Sequence, residues 1–213
     1  GHSILAIQAS HRMSQVVGFD VRVGDLFNYR TIEGLLASLD RHTPQATIEP
    51  IPQDVLAPLS FAQERLWFIE RYEQGTNAYH IPFAFELGAG IERNALGRAL
   101  QSVVLRQAVL RTLFIQDEFG VDYQVVRDEP LLIAECVINE ADLTSALHAA
   151  SNAPFDLTYA YPIKACFYEL MDTHRTVLMV TIHHVAFDGW SKRLFLDEFY
   201  AYYRYETAGR TVD

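Results

Sequence analysis

The strongest constraint on the fold is a single stretch, residues 176–191, which reads TVLMVTIHHVAFDGWS. Its first part, Val177–Ile182, is apolar and rich in β-branched side chains, and its length favours a buried strand over a helix. Two histidines, His183 and His184, stand where the apolar run stops. Because successive side chains of a strand point to opposite faces, the two cannot face one cavity. We expect one histidine to reach a substrate and the other to be held by packing or by a backbone hydrogen bond.

The residues that follow the histidines are predicted to form a loop. Gly189 permits a tight turn there, and Asp188 is an acid that can fix the geometry of the loop. Adjacent histidines alone are a weak indication of function. Metal sites usually need helical spacing or further cysteine and histidine ligands, and none lie nearby in the sequence. We therefore predict no metal site here.

Composition and net charge limit the kinds of protein that this chain can be. The chain has 213 residues, of which 50% are hydrophobic, and its formal net charge is -10. That length suffices for one large domain or somewhat more, and an acidic chain is a poor non-specific ligand for nucleic acid or anionic membranes. Two cysteines, Cys136 and Cys166, with no secretory signal, fit a reducing compartment. We expect a cytoplasmic protein with neither nucleic acid nor membrane among its partners.

The N-terminal part of the sequence is predicted to be helical. Ser3 is a good N-cap for an amphipathic helix that ends near Gly18, and another helix ends near Leu39. Four prolines then disfavour helix and sheet pairing: Pro44, Pro50, Pro52 and Pro58. We predict a linker at residues 44–58, with the domain boundary just before it.

From residue 59 onward the patterns alternate between helix and strand. Ser60 and Gln63 form a capping box at a helix start. Tyr79–Leu87 alternates as a half-buried strand, in which Pro82 indicates an edge position. Further helices are predicted at 91–106, 141–150 and 191–205, and further strands at 113–115, 123–126, 131–138, 162–170 and 176–183. This order predicts an α/β sandwich with a mixed, largely antiparallel sheet.

Three motifs in this part resemble those of nonribosomal peptide synthetase condensation domains. Residues 183–191, HHVAFDGWS, match the active-site motif of that family. SFAQERLWF at 60–68 is similar to its first motif, and RQAVLRT at 106–112 is similar to its second. The second motif departs at Gln107, where the family usually has histidine, so a proton-transfer role at that position is excluded.

The resemblance implies a fold like that of chloramphenicol acetyltransferase, in a V-shaped domain of two lobes. Residues 59–213 would be the N-terminal lobe. The implied reaction is amide formation between aminoacyl or peptidyl thioesters on carrier domains, in an assembly line that makes secondary metabolites such as antibiotics. His184 is the catalytic residue by this resemblance, and its neutral imidazole can accept a proton from the attacking amine or orient it. We expect Gly189 to present a backbone N–H to the thioester oxygen.

His183 and Asp188 have structural roles by the same resemblance. A carboxylate among apolar neighbours needs a partner, and an arginine can bind both of its oxygens. We therefore expect Asp188 to pair with Arg106 or Arg111, which would pin the loop and position the catalytic histidine.

The first residues, GHSILAIQ, resemble the signature of a peptidyl carrier domain. In such carriers a serine at a helix N-terminus, here Ser3, bears 4'-phosphopantetheine, and the helix dipole and free N–H groups suit a phosphodiester there. Residues 1–43 are expected to be the C-terminal part of a carrier's all-α bundle. The implied partners are carrier domains upstream and downstream, and adenylation domains. We expect this chain, truncated at both ends, to be inactive by itself.

Two alternatives stay open at this point. Epimerisation domains share the HHxxxDG motif but usually continue Val-Ser-Trp, whereas this chain continues with Trp190 and Ser191. A non-catalytic module that docks carriers is the other alternative. Heterocyclisation domains, which have aspartates in place of the histidines, are excluded by His183 and His184.

Overall fold

The structure, a computed structural model, describes residues 3–39, 56–72 and 77–208, without the side chains of residues 3, 4 and 39. It divides the chain into two compact units, Gly1–Pro52 and Gln53–Asp213. Most of the predicted linker at 44–58 lies outside the described residues. None of the helices in the described ranges combines the length and apolar character that a membrane span requires.

The smaller unit consists of three helices around a small core. They are α1 (Ser3–Val17), α2 (Val23–Asn28) and α3 (Ile32–Leu39). Val21 and Leu35 form the buried centre, and the side chains packed against them are Met13, Val17 and Leu26. Gly18 ends α1 in the left-handed region with φ of 76°, where its N–H bonds to the carbonyl of Ser14. The predicted helices are confirmed.

The larger unit alternates strands and helices. In chain order these are β1 (Ala57–Pro58), α4 (Phe61–Tyr72), β2 (His80–Glu86), α5 (Arg93–Arg106), β3 (Thr112–Gln116), β4 (Asp122–Val126), β5 (Ile133–Ile138), α6 (Leu143–Asn152), β6 (Ile163–Leu170), β7 (Thr176–His183) and α7 (Ser191–Ala208). The capping box predicted at the start of α4 is present, because the Gln63 side chain accepts from the Ser60 N–H at 2.9 Å and the Ser60 hydroxyl accepts from the Gln63 N–H at 3.3 Å.

Two sheets organise this unit. The main sheet has the order β2-β7-β6-β5, and the smaller one has the order β1-β4-β3. Every pairing is antiparallel except that of β5 with β6. The mixed, largely antiparallel α/β architecture is therefore confirmed, and so is the edge position of β2, which Pro82 indicated.

The prediction of a linker up to residue 58 is wrong at its last two described residues. Ala57 pairs with Gln124 and Pro58 with Tyr123, so this segment is the edge strand β1. Pro58 has no N–H to donate, but its carbonyl accepts a hydrogen bond from the Gln124 side chain at 2.8 Å. An edge strand tolerates proline because a missing donor costs nothing on its open side.

The core fixes the position of the end of β7. On one face of the main sheet, α5 and α7 pack against the even-numbered residues of β7, and the buried contributors include Leu100, Val180, Ile182, Phe195 and Phe199. On the other side, a second cluster surrounds the end of the strand: Leu59, Trp67, Phe114, Phe155, Leu157 and Val185. Burying each such side chain contributes about 1.5–3 kcal/mol relative to exposure. The strand end is thus held from both sides.

Candidate active site

The two adjacent histidines have opposite environments, as the alternation of a strand predicts. The His183 side chain is 0% exposed, whereas that of His184 is exposed. Their backbones are fixed by hydrogen bonds of equal length, because His183 N–H donates to the Pro162 carbonyl and His184 N–H to the Tyr79 carbonyl, each at 2.8 Å. His184 therefore projects from a backbone that neighbouring strand ends hold in place.

The ring of His183 is held by a specific pair of hydrogen bonds. Its Nδ1 accepts from the backbone N–H of Val185 at 3.0 Å, so that nitrogen carries the lone pair and Nε2 carries the hydrogen. The Nε2 atom lies 3.3 Å from Oε2 of Glu70. Burial is the main cause that lowers the pKa of His183 to about 4, with His80 and His184 adding to it. The contact is thus a neutral N–H donating to a carboxyl group.

Glu70 is a buried member of the site that the sequence reasoning missed. It lies in the last turns of α4 and its side chain is only 7% exposed. Burial raises its pKa, while the positive charge of Lys164 acts in the opposite direction. The only signal in the sequence is its place one turn after Trp67 on the same helix, because an acid on a core-facing stripe needs a partner in the interior.

His80 is close to the same pair. Its Nδ1 lies 2.8 Å from the carbonyl of Ser151, so Nδ1 donates and Nε2 carries the lone pair. That Nε2 is buried and has no hydrogen-bond partner within the part of the chain that the structure describes. One ligand atom from each of Glu70, His80 and His183 lies within 4.8 Å of the others. However, His183 presents an N–H to this space, which leaves two donors of electron pairs, fewer than a protein zinc site normally provides.

Asp188 is satisfied by its own turn. Its Oδ1 accepts from the Trp190 N–H at 3.1 Å, the Ser191 N–H at 2.9 Å and the Ser191 hydroxyl at 2.7 Å. The hydrogen bonds from Ser191 are the main cause that lowers the pKa of this carboxyl group. Asp188 therefore ties the HHxxxDG turn to the first residue of α7.

The predicted pairing of Asp188 with an arginine is wrong in the described part of the chain. Arg106 lies 3.2 Å from Glu198, and Arg111 lies 2.6 Å from Asp128 and donates to the Arg127 carbonyl. The prediction assumed a buried carboxylate, but Asp188 is exposed and three donors from its own turn already satisfy it.

Gln107, the departure in the second motif, makes a new polar contact. Its side-chain amide donates to both carboxylate oxygens of Glu198 on α7, each at 2.9 Å. A neutral amide at position 107 therefore still forms hydrogen bonds, and these connect the end of α5 to α7. The same residues line a small cavity of about 60 Å³ beside the turn, together with Ala186, Phe187 and Ser191.

Gly189 is not required by the backbone of the turn. Its φ lies outside the left-handed region, and an added Cβ would meet nothing within 4 Å. In this conformation the turn therefore does not use the freedom that a glycine permits. Within the described residues its N–H makes no hydrogen bond, so the donor is available to a ligand.

A larger cavity, of about 980 Å³, lies elsewhere in the same unit. It is lined mainly by β5, β6 and the segments at 127–132 and 158–161, and no residue of the 183–191 turn lines it. Cys136 and Cys166 face it with their sulfurs 3.5 Å apart. Burial is the main cause that raises the pKa of Cys166 to about 11, so this thiol is a poor nucleophile at neutral pH.

Ser3, the predicted attachment residue, stands at the beginning of α1 in the smaller unit. Its side chain lies outside the described part of the chain. The first turn of a helix of 15 residues offers free backbone N–H groups at that end.

Comparisons with known proteins give one consistent result. The sequence profile of the Condensation domain family matches residues 53–213. The probable non-canonical nonribosomal peptide synthetase CymA of Salinispora arenicola is 36% identical over an alignment of 218 residues that covers 100% of this chain and 3% of that protein. The dimodular nonribosomal peptide synthase of Bacillus subtilis is 32% identical over 195 residues, which are 90% of this chain and 8% of that protein. The chain thus spans a small part of these synthetases.

Solved structures agree with the sequence relatives. The X-domain in its complex with OxyB from teicoplanin biosynthesis has a TM-score of 0.70 at 28% identity and covers 80% of this chain and 37% of that one. The first condensation domain of the CDA synthetase has a TM-score of 0.63 at 20% identity, which shows the shared fold, and covers 75% of this chain and 43% of that one. Together with the HHxxxDG turn at the end of β7, these matches show that the chain belongs to the condensation-domain family of nonribosomal peptide synthetases.

Proposed function

We propose that the larger unit takes part in amide bond formation between two thioesters held on carrier domains. The observation that carries this proposal is the difference in environment between the two adjacent histidines. One is fully buried and neutral, and the other is exposed at the end of a strand whose backbone is fixed on both sides. A rigidly supported, exposed imidazole suits a group that must meet a substrate.

The chemistry assigned to His184 is the handling of one proton. The amine of one carrier-bound amino acid attacks the carbonyl carbon of the other thioester, the C–N bond forms and the C–S bond breaks with the sulfur leaving as a thiolate. The attacking nitrogen must lose a proton in the process, and a neutral imidazole can accept it or orient the amine by hydrogen bonding. The thiolate that leaves takes up one proton.

Two further residues are assigned supporting roles at this site. The N–H of Gly189, which makes no hydrogen bond to any described residue, is a donor for the thioester oxygen as negative charge develops on it. Asp188 holds the turn in place by accepting hydrogen bonds at the start of α7. These hydrogen bonds fix the turn in the way that a pairing with arginine was predicted to. Arg106 and Arg111 each pair with a carboxylate other than Asp188, so neither is assigned a role in holding the turn.

The smaller unit is proposed to belong to a peptidyl carrier domain. Its three helices and the position of Ser3 at the beginning of α1 support this assignment for residues 1–43. Ser3 would hold 4'-phosphopantetheine, whose thiol supplies the thioester when the group is bound. Residues 59–213 are proposed as the N-terminal lobe of the condensation domain. Carrier and adenylation domains of the same assembly line are the partners, as expected from synthetase relatives.

The test is single-turnover dipeptide formation by an intact synthetase that contains this domain. We expect His184→Ala to reduce the rate by about 10²–10⁴-fold, the usual contribution of a positioned acid–base group. The matched control is His148→Ala, which removes an exposed histidine from α6 and should leave the rate unchanged. Wild-type dipeptide formation by the His184→Ala protein would overturn the assignment.

A further inference from the structure

A chain of polar contacts links helix α4 to the turn that carries His184. It begins at Oε2 of Glu70, passes through the ring of His183 by a 3.3 Å contact at Nε2, and ends at the N–H of Val185, 3.0 Å from Nδ1. His184 stands in the sequence between His183, which carries the ring, and Val185, whose N–H the ring accepts. The contacts Glu70–His183–Val185, called the clamp below, therefore restrain the backbone of His184 on both sides.

The clamp works in only one tautomer of His183. Nδ1 can accept from Val185 only if the hydrogen is on Nε2. The other tautomer would set two N–H groups against each other and leave the buried Val185 N–H without an acceptor, an arrangement that is costly in a protein interior. The tautomer therefore depends on an acceptor for the Nε2 hydrogen.

Glu70 accepts the Nε2 hydrogen of His183 at 3.3 Å; the lone pair of His80 Nε2 is also nearby, but it makes no hydrogen bond within the described residues. The rings near His183 belong to Phe155, at 5.6 Å between centroids, to Tyr79 at 6.3 Å and to His80 at 5.9 Å. Phe155 offers no hydrogen-bond acceptor of ordinary strength. Trp67, on the same helix as Glu70, carries an N–H that has no partner in the described ranges and can only donate.

The charged and titratable groups around the clamp come from several elements. Lys164 of β6 attracts the Glu70 carboxylate, and its ammonium group donates to the carbonyls of Ala153 and Pro154. His80 of β2 presents an Nε2 lone pair that has no hydrogen-bond partner among the described residues, and positive charge on His80 or His184 would lower the pKa of His183. Burial and the two neighbouring histidines therefore oppose protonation of the His183 ring, and Lys164 acts on Glu70.

We propose that Glu70 is a positioning residue for the condensation reaction, because it selects the Nε2–H tautomer of His183, which holds the Val185 N–H and thereby fixes His184. This inference deepens the proposed function and depends on it for its kinetic part. The acceptor oxygen at position 70, rather than negative charge, is what the clamp requires. A glutamine there keeps an oxygen for His183 and adds an N–H that the lone pair of His80 can accept.

The direct test is the tautomer of His183 in this chain, read from ¹⁵N–¹H correlation spectra of the histidine rings near pH 7. We expect a protonated Nε2 and an unprotonated Nδ1 in the wild type and in Glu70→Gln, and a loss of that pattern in Glu70→Met. The control is Glu64→Met, an exposed position on the same helix, which should leave the spectrum unchanged. A protonated Nδ1 in the wild-type protein would overturn the proposal even if Glu70→Met fails to fold.

The kinetic test uses the same variants in an intact synthetase. We expect Glu70→Met to reduce kcat by about 10²-fold, as a small misplacement of a reacting group can, with KM for the carrier substrates unchanged. Glu70→Gln should restore kcat close to the wild-type value. Equal losses in Glu70→Gln and Glu70→Met, or a normal kcat in Glu70→Met, would overturn the proposal. If His184→Ala is fully active, the proposed function fails, while the tautomer result still decides the role of Glu70 in the clamp.

Discussion

At the scale of single residues, the site separates chemistry from support. His184 is exposed and free to meet a substrate, while its neighbour His183 is sealed in the interior by Glu70 and by the aromatic rings around it. A buried imidazole is held neutral because the interior disfavours its charged form. The consequence is a measurable dependence of folding stability on pH.

His183 should make the larger unit less stable in mild acid. Its folded pKa of about 4 lies below the ordinary value of 6.5, so the unfolded chain binds the proton more readily. The contribution is fully present above pH 6.5 and is lost as the pH falls from 6.5 towards 4, by on the order of 3 kcal/mol in all. We expect the free energy of unfolding, measured with urea, to fall across this range.

The contribution of Glu70 to folding stability changes with pH in the opposite direction. Its pKa is raised, so its contribution is present below the unfolded value of 4.5 and is lost as the pH rises through the folded value. Glu70→Gln removes this opposing contribution and should steepen the loss of stability in acid, whereas His183→Asn should flatten it. His148→Ala is the control and should follow the wild type. An unchanged slope in His183→Asn would contradict the explanation.

At the scale of elements, the turn and helix α7 act as one piece. Asp188 accepts the N–H of Trp190, just before the helix, and that of Ser191, its first residue, and the Ser191 hydroxyl binds the same oxygen. Gln107 then ties α5 to α7 through Glu198. The orientation of the turn is thus set by helix ends and by the core, and no arginine takes part in the described region.

Replacing Asp188 should have the cost of losing a helix cap. We expect Asp188→Ala to lower the free energy of unfolding by about 1 kcal/mol, much less than the loss of a buried ion pair. Asp188→Asn should cost less, since the amide oxygen can still accept the N–H groups of Trp190 and Ser191. Urea denaturation at neutral pH measures both. A loss of about 3–5 kcal/mol in Asp188→Ala would instead indicate a buried ionic partner.

At the scale of the whole molecule, the parts that were predictable from sequence are those with local causes. The alternation of β2, the capping box of α4 and the apolar run of β7 each depend on residues a few positions apart. The family could be recognised because its motifs are contiguous. The architecture followed from the order of these elements.

The rest could not be predicted because its causes are distant in the chain. Glu70 and His183 are separated by 113 positions, and no pattern within α4 shows that its glutamate meets a histidine. The pairing of Pro58 with Tyr123 likewise depends on the tertiary position of β4. The prediction of an arginine partner for Asp188 was wrong for a related reason. Whether a side chain is exposed depends on the whole fold, and the exposed Asp188 carboxylate does not need a cation beside it.

The central position of β7 in its sheet should slow the exchange of its amide hydrogens with solvent. Its residues from Val177 to Ile182 pair with β2 on one side and with β6 on the other, so every amide hydrogen in this stretch has a neighbouring strand to bond to, whereas alternate amides of an edge strand face away from the sheet. Deuterium exchange should therefore be slowest in β7 and faster in the edge strands β2 and β5. The backbone that supports His184 would then keep its geometry through the frequent partial openings of the sheet edges. Exchange in β7 as fast as in β5 would contradict this.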